Sequence, residues 1–340
     1  MQSHIGMETR LTFFRLDDMV RMSTKYRDES NGESIMSNKT LVIMAAGLGS
    51  RYGGVKQVER MGPGGEILME YAIFDALRAG FDHIVLIIKP TMLQDVKELF
   101  GNRVETAAGL KIDYVFQDPA RFTEDYTIPP ERVKPFGTVH AVLCAKDVID
   151  SPFAVMNADD YYGRTALEEI SAELSRLEDA AHATMVGYQL QNTVSPYGTV
   201  TRGVCIVKDG LLQKVNETYK IKVCGDGTIR DTSEREDGPI LAPETPVSMN
   251  LWGWHPAILD VMEDYFRAFL HSLAPDNIKG ECLLPIMMDD LTRRGEIETT
   301  VLSTPDHWFG ITYQEDKPGV MASLRALHDS GVYPKTLWGA

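Results

Sequence analysis

The chain has 340 residues, of which 44% are hydrophobic, and a formal net charge of −15. That length holds one large α/β domain or two smaller ones around a substantial core. The acidity argues against a general nucleic-acid or anionic-membrane surface, so an anionic substrate needs a local basic pocket. The cysteines, Cys144, Cys205, Cys224 and Cys282, are scattered and form no C-x-x-C pair, which argues for a reducing cytoplasm and against a zinc site. No apolar run reaches the roughly 18 residues of a membrane span, and the first residues lack the apolar core of a secretion signal.

Residues 1–35 are mixed polar and charged and end in Asp28-Glu29-Ser30-Asn31-Gly32-Glu33-Ser34. They read as a loosely attached N-terminal extension, 1–37, with Met36 as an alternative start. The apolar run Leu41-Val42-Ile43 then reads as a buried strand, Leu41–Ala45. It empties into Ala46-Gly47-Leu48-Gly49-Ser50-Arg51-Tyr52-Gly53-Gly54-Val55-Lys56. Glycines let backbone N–H groups approach an anion, and Arg51 and Lys56 add charge, so the loop suits a phosphate. A dinucleotide fingerprint fits poorly. The loop runs on through Gly62-Pro63-Gly64-Gly65 before any helix, and the next strand, Ile84–Ile88, ends in Lys89-Pro90 rather than in an acid. A purely structural glycine turn leaves Arg51 and Lys56 unexplained.

Strands and helices alternate to about residue 160. Further strands are Ile112–Phe116 and Phe153–Met156. Met69, Ala72, Ile73, Ala76 and Leu77 have helical spacing up to a stop at Gly80, and Val139, Val142 and Leu143 begin another helix. A third carries Leu167, Ile170, Leu174 and Leu177, with Thr165 and Glu168 at capping-box spacing. Such alternation implies a mainly parallel sheet covered on both faces, with ligands beyond the carboxyl ends of its strands. From residue 183 the pattern changes. Met185–Leu190, Thr199–Val207, Leu211–Glu217 and Val247–Trp254 read as strands joined by turns such as Lys208-Asp209-Gly210, a more antiparallel, substrate-facing part. Residues 230–246 read as a surface excursion, and helices return at Ala257–Leu270, Leu283–Arg293 and Val320–Leu327. There is no internal repeat, and the chain is not cut into independent domains.

Three groups of residues carry chemistry. Asp159 and Asp160 follow an apolar strand, on the sheet edge that bears the glycine loop. A carboxylate there makes sense with Mg2+ between it and the phosphates, and a helix cap is the other reading of the pair. In Lys134-Pro135-Phe136-Gly137-Thr138-Val139-His140-Ala141, Gly137 and Thr138 start a helix and can offer N–H and hydroxyl groups to a ligand, while His140 reads as a packed helix residue. Gln117, just after a strand, carries a donor and an acceptor that suit a base edge.

Taken together and in this order, these groups resemble the sugar-phosphate nucleotidyltransferases over about residues 39–315. The resemblance implies a nucleotide-diphospho-sugar transferase type of α/β fold: a Rossmann-like, mainly parallel sheet flanked by helices, with a smaller antiparallel subregion facing the substrate. It implies one nucleotidyltransferase domain, 38–340, divided into a nucleotide-binding half, 38–180, and a sugar-binding half, 181–340. The family joins a nucleoside triphosphate (NTP) to a sugar 1-phosphate and releases pyrophosphate. Its Gly-x-Gly-x-Arg…Lys signature resembles Gly47, Gly49, Arg51 and Lys56. This implies catalytic roles for Arg51, Lys56 and Asp159, with Asp159 as the Mg2+ ligand. Nucleotide binding then falls to Ala46, Gly47, Gly49, Ser50, Gln117, Gly137 and Thr138. Gly137-Thr138-x-His140-Ala141 is similar to the uridylyltransferases, which favours UTP. Tyr197-Gly198, Glu217 and Asn250 resemble the elements that face the sugar. Thr218 stands where the family usually has a lysine, so Lys220 or Lys222 takes the sugar phosphate. The resemblance implies a second metal Asp after a C-terminal Trp, but Trp308 is followed by Phe309 and Gly310, which leaves Asp306 as a substitute. An insertion, Ala120 to Lys134, reads as a lid. Two alternatives stay open: a cytidylyltransferase acting on a non-sugar alcohol phosphate, and a catalytically silent nucleotide-sugar-binding regulatory protein. No nucleic-acid or membrane partner is expected, and a homo-oligomer stays open.

Overall fold

The computed structural model describes residues 38–46, 60–98, 104, 110–274, 276–311 and 313–338. Strand β1 (Thr40–Met44) is followed by helix α1 (Leu68–Arg78), β2 (His83–Ile88) and β3 (Lys111–Phe116). A short helix α2 (Thr138–Leu143) leads to β4 (Phe153–Asn157), the two-residue β5 (Asp160–Tyr161) and helix α3 (Arg164–Leu174). Strands β6 (His182–Gln189), β7 (Val200–Lys208), β8 (Leu211–Val223), β9 (Ile229–Asp231), β10 (Ile240–Leu241) and β11 (Pro246–Trp254) follow. Helices α4 (Ile258–Ser272) and α5 (Leu284–Arg294), strands β12 (Glu298–Ser303) and β13 (Phe309–Gly310), and helix α6 (Asp316–Asp329) complete the fold.

Among the described residues, eleven of these strands form one mixed sheet in the order β10-β9-β8-β12-β6-β11-β4-β1-β2-β3, with β7 beside β8 and β11. Strands β3, β2, β1 and β4 are mutually parallel, β6 and β12 pair in parallel, and the other ladders are antiparallel. Alternation along the strands sends side chains to two cores. Leu41, Ile43, Ile84, Leu86, Ala154 and Met156 face α1, α3 and α6. Val42, Val85, Ile87, Phe153, Val155, Trp252 and Trp254 face α2, α4 and α5. The layers are therefore helix, sheet, helix. In α4, Ile258, Met262, Phe266 and Leu270 recur every four residues and are all buried, and each such side chain contributes about 1.5–3 kcal/mol.

Helix α1 is buried from Leu68 to Ala76, because α6 and the C-terminus cover its outer face. Its N-terminus is capped by Glu70, whose Oε2 accepts from the Ile67 N–H at 2.8 Å, and Gly80 ends it as expected. At Asp209-Gly210 both residues have positive φ, 53° and 79°, which matches a two-residue hairpin turn with the twist of its strands.

Some sequence expectations change. Helix α3 starts at Gly163 with no side-chain cap of its own, so Thr165 and Glu168 do not form a capping box. Glu168 instead pairs with Arg164 at 2.6 Å. The cap comes from far along the chain: Asp306 Oδ2 accepts from the Ala166 N–H at 2.9 Å. The 230–246 excursion carries β10 and the end of β9. The insertion at 120–134 is tied to the body of the fold near both its ends. Arg121 binds the Cys144 carbonyl at 2.7 Å and Asp147 at 2.6 Å, Arg132 donates to the Gly280 carbonyl at 2.5 Å, and Lys134 pairs with Glu281 at 2.5 Å.

Candidate active site

The chain runs from β1 through α1 to β2 on one side, then returns to place β4 on the other side of β1. The crevice at the carboxyl ends of β1 and β4 is thus the switch point of the parallel part, where open α/β sheets bind ligands. The β1 exit is held by the Ala45 N–H on the Ile87 carbonyl at 2.7 Å, and the β4 exit by the Ala158 N–H on the Met44 carbonyl at 3.2 Å. Ala46 is buried at this exit. Gly47, Gly49, Ser50, Arg51 and Lys56 lie outside the described residues. The chain re-enters at Arg60–Ile67, where Met61 and Gly62 donate to the Glu66 carbonyl at 2.8 and 2.9 Å.

At the end of β4 the two aspartates diverge. Asp160 is buried, accepting from Asn157 Nδ2 at 2.9 Å, with the Tyr162 hydroxyl at 3.3 Å. Burial, and then the charge of Asp159, push its carboxyl well above the usual carboxylate range. Its partner in the small β5–β13 sheet is Gly310. A Cβ at Gly310 would stand 2.6 Å from Asp160 Oδ1, so a second acidic side chain does not fit there as the chain is arranged. Asp159 stays half-buried. Asp306 Oδ2, on the Ala166 N–H, is the side-chain oxygen seen to cap α3. Phe309 stacks on Tyr161 with centroids 4.3 Å apart, which is core packing.

The described residues contain no ready-made group of three acidic, His or Cys ligands for a metal. A Mg2+ ion takes one or two protein carboxylates together with substrate phosphates, and of the two aspartates Asp159 is the one that is not buried.

On the β3 side, the Gln117 N–H extends the ladder to the Ile88 carbonyl at 3.2 Å, and its Nε2 donates to the Gly137 carbonyl at 3.3 Å. Sequence had named both residues, and the fold brings them together. Gly137 has φ 101° and ψ −172°, a region essentially reserved for glycine. The Cys282 backbone packs where a Cβ would lie. Thr138 serves the fold, since its hydroxyl accepts from the Leu284 N–H at 2.8 Å and caps α5. His140 is packed as expected. Its Nε2 donates to the Arg121 carbonyl at 3.1 Å, and burial pushes its pKa down to about 4.

Strand β11 builds the other wall. Trp252–Trp254 pair with β4, whereas Val247 and Ser248 pair with β7, so β7 continues the sheet beyond the end of β4. Between these stretches lies Asn250, with φ 63° and a buried Oδ1 that has no hydrogen-bond partner. Ser248, Gly203 and Glu217 stand side by side across three strands. A Cβ at Gly203 would lie 3.8 Å from Glu217 Oε2, and burial raises the Glu217 carboxyl above its usual range. Gly198 packs on the Tyr313 ring, whose hydroxyl donates to the Thr199 carbonyl at 2.7 Å. Lys220 is exposed, within a register shift between β7 and β8, and Lys222 lies 3.6 Å from Glu236.

Sequence reasoning missed Arg202. It is 7% exposed, donates to the Thr193 carbonyl through two nitrogens and to the Thr201 carbonyl at 2.7 Å, and lies 4.5 Å over the Trp308 ring. Burial pushes its pKa down to about 10, against the carboxylates of Asp160, Glu217 and Asp316. An arginine within a strand gives no local signal of burial.

The described fold is a mixed α/β sheet with helices on both faces, in which Asp159 follows β4 at the switch point and the glycine-rich sequence follows β1 in the chain. The chain belongs to the nucleotidyl transferase family, whose model matches residues 40–264, and it is a nucleotidyltransferase. Among solved structures it is similar to the inositol-1-phosphate CTP transferase from T. maritima. That match has a TM-score of 0.54 and 13% identity over 85% of this chain and 97% of that one. It is also similar to a protein from Bacillus anthracis described as a glucose-1-phosphate thymidylyltransferase, solved with sucrose. There the TM-score is 0.56, with 14% identity over 84% of this chain and 95% of that one. Among curated proteins, none matches the chain. At these identities the structural likeness speaks for the fold. No helix of the described residues is long and apolar enough to cross a membrane.

Proposed function

We propose that the enzyme joins an NTP, with UTP favoured, to a sugar 1-phosphate, giving a nucleotide sugar and pyrophosphate. The observation that carries this reading is the shared strand β11. It sets Glu217, Ser248 and Asn250 directly beyond the end of β4, from which Asp159 emerges. An acceptor held on that wall lies beside the nucleotide phosphates. The unpartnered, buried Oδ1 of Asn250 and the partly desolvated Glu217 are hydrogen-bonding groups suited to sugar hydroxyls.

A phosphate oxygen of the acceptor attacks the α-phosphorus in line with departing pyrophosphate. That phosphate is already ionised at neutral pH, so the protein's part is positioning and charge stabilisation. Backbone N–H groups of residues 47–51 cradle the β- and γ-phosphates. Arg51 stabilises the leaving pyrophosphate, and Lys56 neutralises charge near the α-phosphate. Gly198, Glu217 and Asn250 orient the sugar, with Lys220 on its phosphate. Asp159 would hold Mg2+, which supplies Lewis-acid charge compensation when bound. Gln117, with Nε2 on Gly137, offers Oε1 to a donor on the base. The N3–H of uracil and the amino group of cytosine are both donors of that kind, and the likeness of Gly137–Ala141 to uridylyltransferases favours uracil.

The test is pyrophosphate release over a grid of NTPs and sugar 1-phosphates, with inositol 1-phosphate included. Lys56→Ala and Asp159→Ala are expected to lose about 100-fold or more in turnover with the fold intact. Near-normal release from both variants would overturn the mechanism. Turnover only with CTP and a cyclitol phosphate would move the acceptor to an alcohol phosphate. Binding without turnover would make the chain a regulatory protein.

A further inference from the structure

The segment that follows α6 takes no part in the mechanism above, yet Tyr333, Leu337 and Trp338 are all buried against α1. Their polar atoms are aimed. The Tyr333 hydroxyl donates to Asp75 Oδ2 at 2.5 Å and receives the Tyr161 hydroxyl at 2.8 Å. Asp75 lies in α1, which follows the glycine-rich sequence, and Tyr161 stands two residues after Asp159. One hydroxyl thus joins the chain leaving the glycine sequence to the chain leaving the aspartate. Trp338 Nε1 donates to Glu70 Oε1 at 3.0 Å, and the other oxygen of Glu70 caps α1 through the Ile67 N–H. The segment itself is held by His328, which takes the Tyr71 hydroxyl on Nε2 at 2.8 Å and donates from Nδ1 to the Pro334 carbonyl at 2.5 Å.

We infer that Tyr333 and Trp338 are positioning residues for the transfer reaction, fixing the start and middle of α1 relative to the turn that carries Asp159. The inference rests on the function proposed above. Apolar packing of α1 on the sheet is strong but not directional, whereas buried hydrogen bonds between particular atoms select one arrangement. A carboxylate on the inner face of α1 would be a liability without such a partner. Asp75 Oδ1 has no partner of its own, so Tyr333 is what justifies an acid at this place. The geometry matters for rate because the phosphates are held from the β1 side and Asp159 comes from the β4 side. A misplacement of about 1 Å between reacting groups costs on the order of 100-fold.

Tyr333→Phe and Trp338→Phe test this, since the first removes only a hydroxyl and the second an indole N–H. Both are assayed where circular dichroism shows them fully folded. In each, kcat/KM for the NTP is expected to fall about tenfold while KM for the sugar 1-phosphate stays within about twofold. Amide hydrogen exchange is expected to quicken at residues 60–70 in both variants, and at 157–162 in Tyr333→Phe. Variants that melt earlier but keep kcat and both KM values within about twofold of wild type would reduce the segment to a structural clasp and overturn the inference. If wild-type enzyme releases no pyrophosphate on any substrate pair, the proposed function fails and exchange alone decides. Unchanged exchange at 157–162 in Tyr333→Phe then overturns the tie, and quickened exchange there supports it.

Discussion

Replacing Gly137 with alanine should separate two kinds of strain. The backbone there has φ 101° and ψ −172°, and holding a non-glycine residue in such a region costs about 1–3 kcal/mol. The new Cβ would also meet Cys282 backbone atoms, with N at 2.8 Å and C at 2.9 Å. Those atoms cannot swing aside as a side chain tip would. The Cys282 N–H donates to the Phe136 carbonyl at 2.7 Å and its carbonyl accepts from the Val139 N–H at 3.1 Å. Forcing extra volume into such packing costs about 1–3 kcal/mol more. The sum, about 2–6 kcal/mol, is a large share of a typical stability of about 5–15 kcal/mol. Gly210→Ala is the control. Gly210 also has positive φ, 79°, but nothing lies within 4 Å of its added Cβ, so only a dihedral cost of about 1–2 kcal/mol applies. Urea denaturation with matched m-values reads both. Equal losses in the two variants, or a loss under about 1 kcal/mol at Gly137, would refute the claim that Cys282 packing demands a glycine there.

Removing the remote cap with Asp306→Ala is expected to cost about 0.5–2 kcal/mol, read by denaturation. The Mg2+ dependence of turnover should stay unchanged, and a tenfold shift in the metal titration (about 1.4 kcal/mol) would return Asp306 to the metal. Asp75 adds a pH effect. Burial pushes its carboxyl from 3.8 up to about 7, so the folded state holds a proton that the unfolded chain releases. Its contribution to stability is therefore greatest below about pH 4 and declines as pH rises to about 7. Asp75→Asn should flatten the melting temperature over that window, because no charge then forms beside Tyr333; an unchanged slope would mean that Asp75 does not titrate there.

Strands β1, β2 and β4 were legible because their apolar runs are buried on both faces and bounded by glycine, proline or charge. Leu41–Ile43 and Phe153–Met156 needed no tertiary information. Strand β12 was not legible. Thr299 and Thr300 give it little apolar periodicity, and it exists because β6 and β8 offer it a ladder. Strands β5 and β13 are too short for any window. The misread start of α3 has a clear cause. Thr165 and Glu168 satisfy a local rule, but the cap that forms belongs to Asp306, 140 residues from the N–H it accepts. In the candidate site, Gln117 was readable as a donor and acceptor suited to a base edge and Gly137 as a helix start that offers its N–H to a ligand, and the fold brings the two into contact. Arg202 was unreadable because its burial comes from Trp308, remote in sequence, and from a turn back to the Thr193 carbonyl that no local pattern announces.

Strand β11 has a mechanical consequence. On the proposed reading, the nucleotide and acceptor sides are hydrogen-bonded to segments of one strand, interrupted around Asn250, and no linker separates them. Opening the crevice by moving one side as a rigid body would break ladder bonds to β4 or β7, at about 1 kcal/mol each. Adjustment to substrates must therefore fall on loops and side chains around a fixed frame. If the proposed site is right, the spacing between attacking and departing phosphates is set when the chain folds, and substrates select it by fitting.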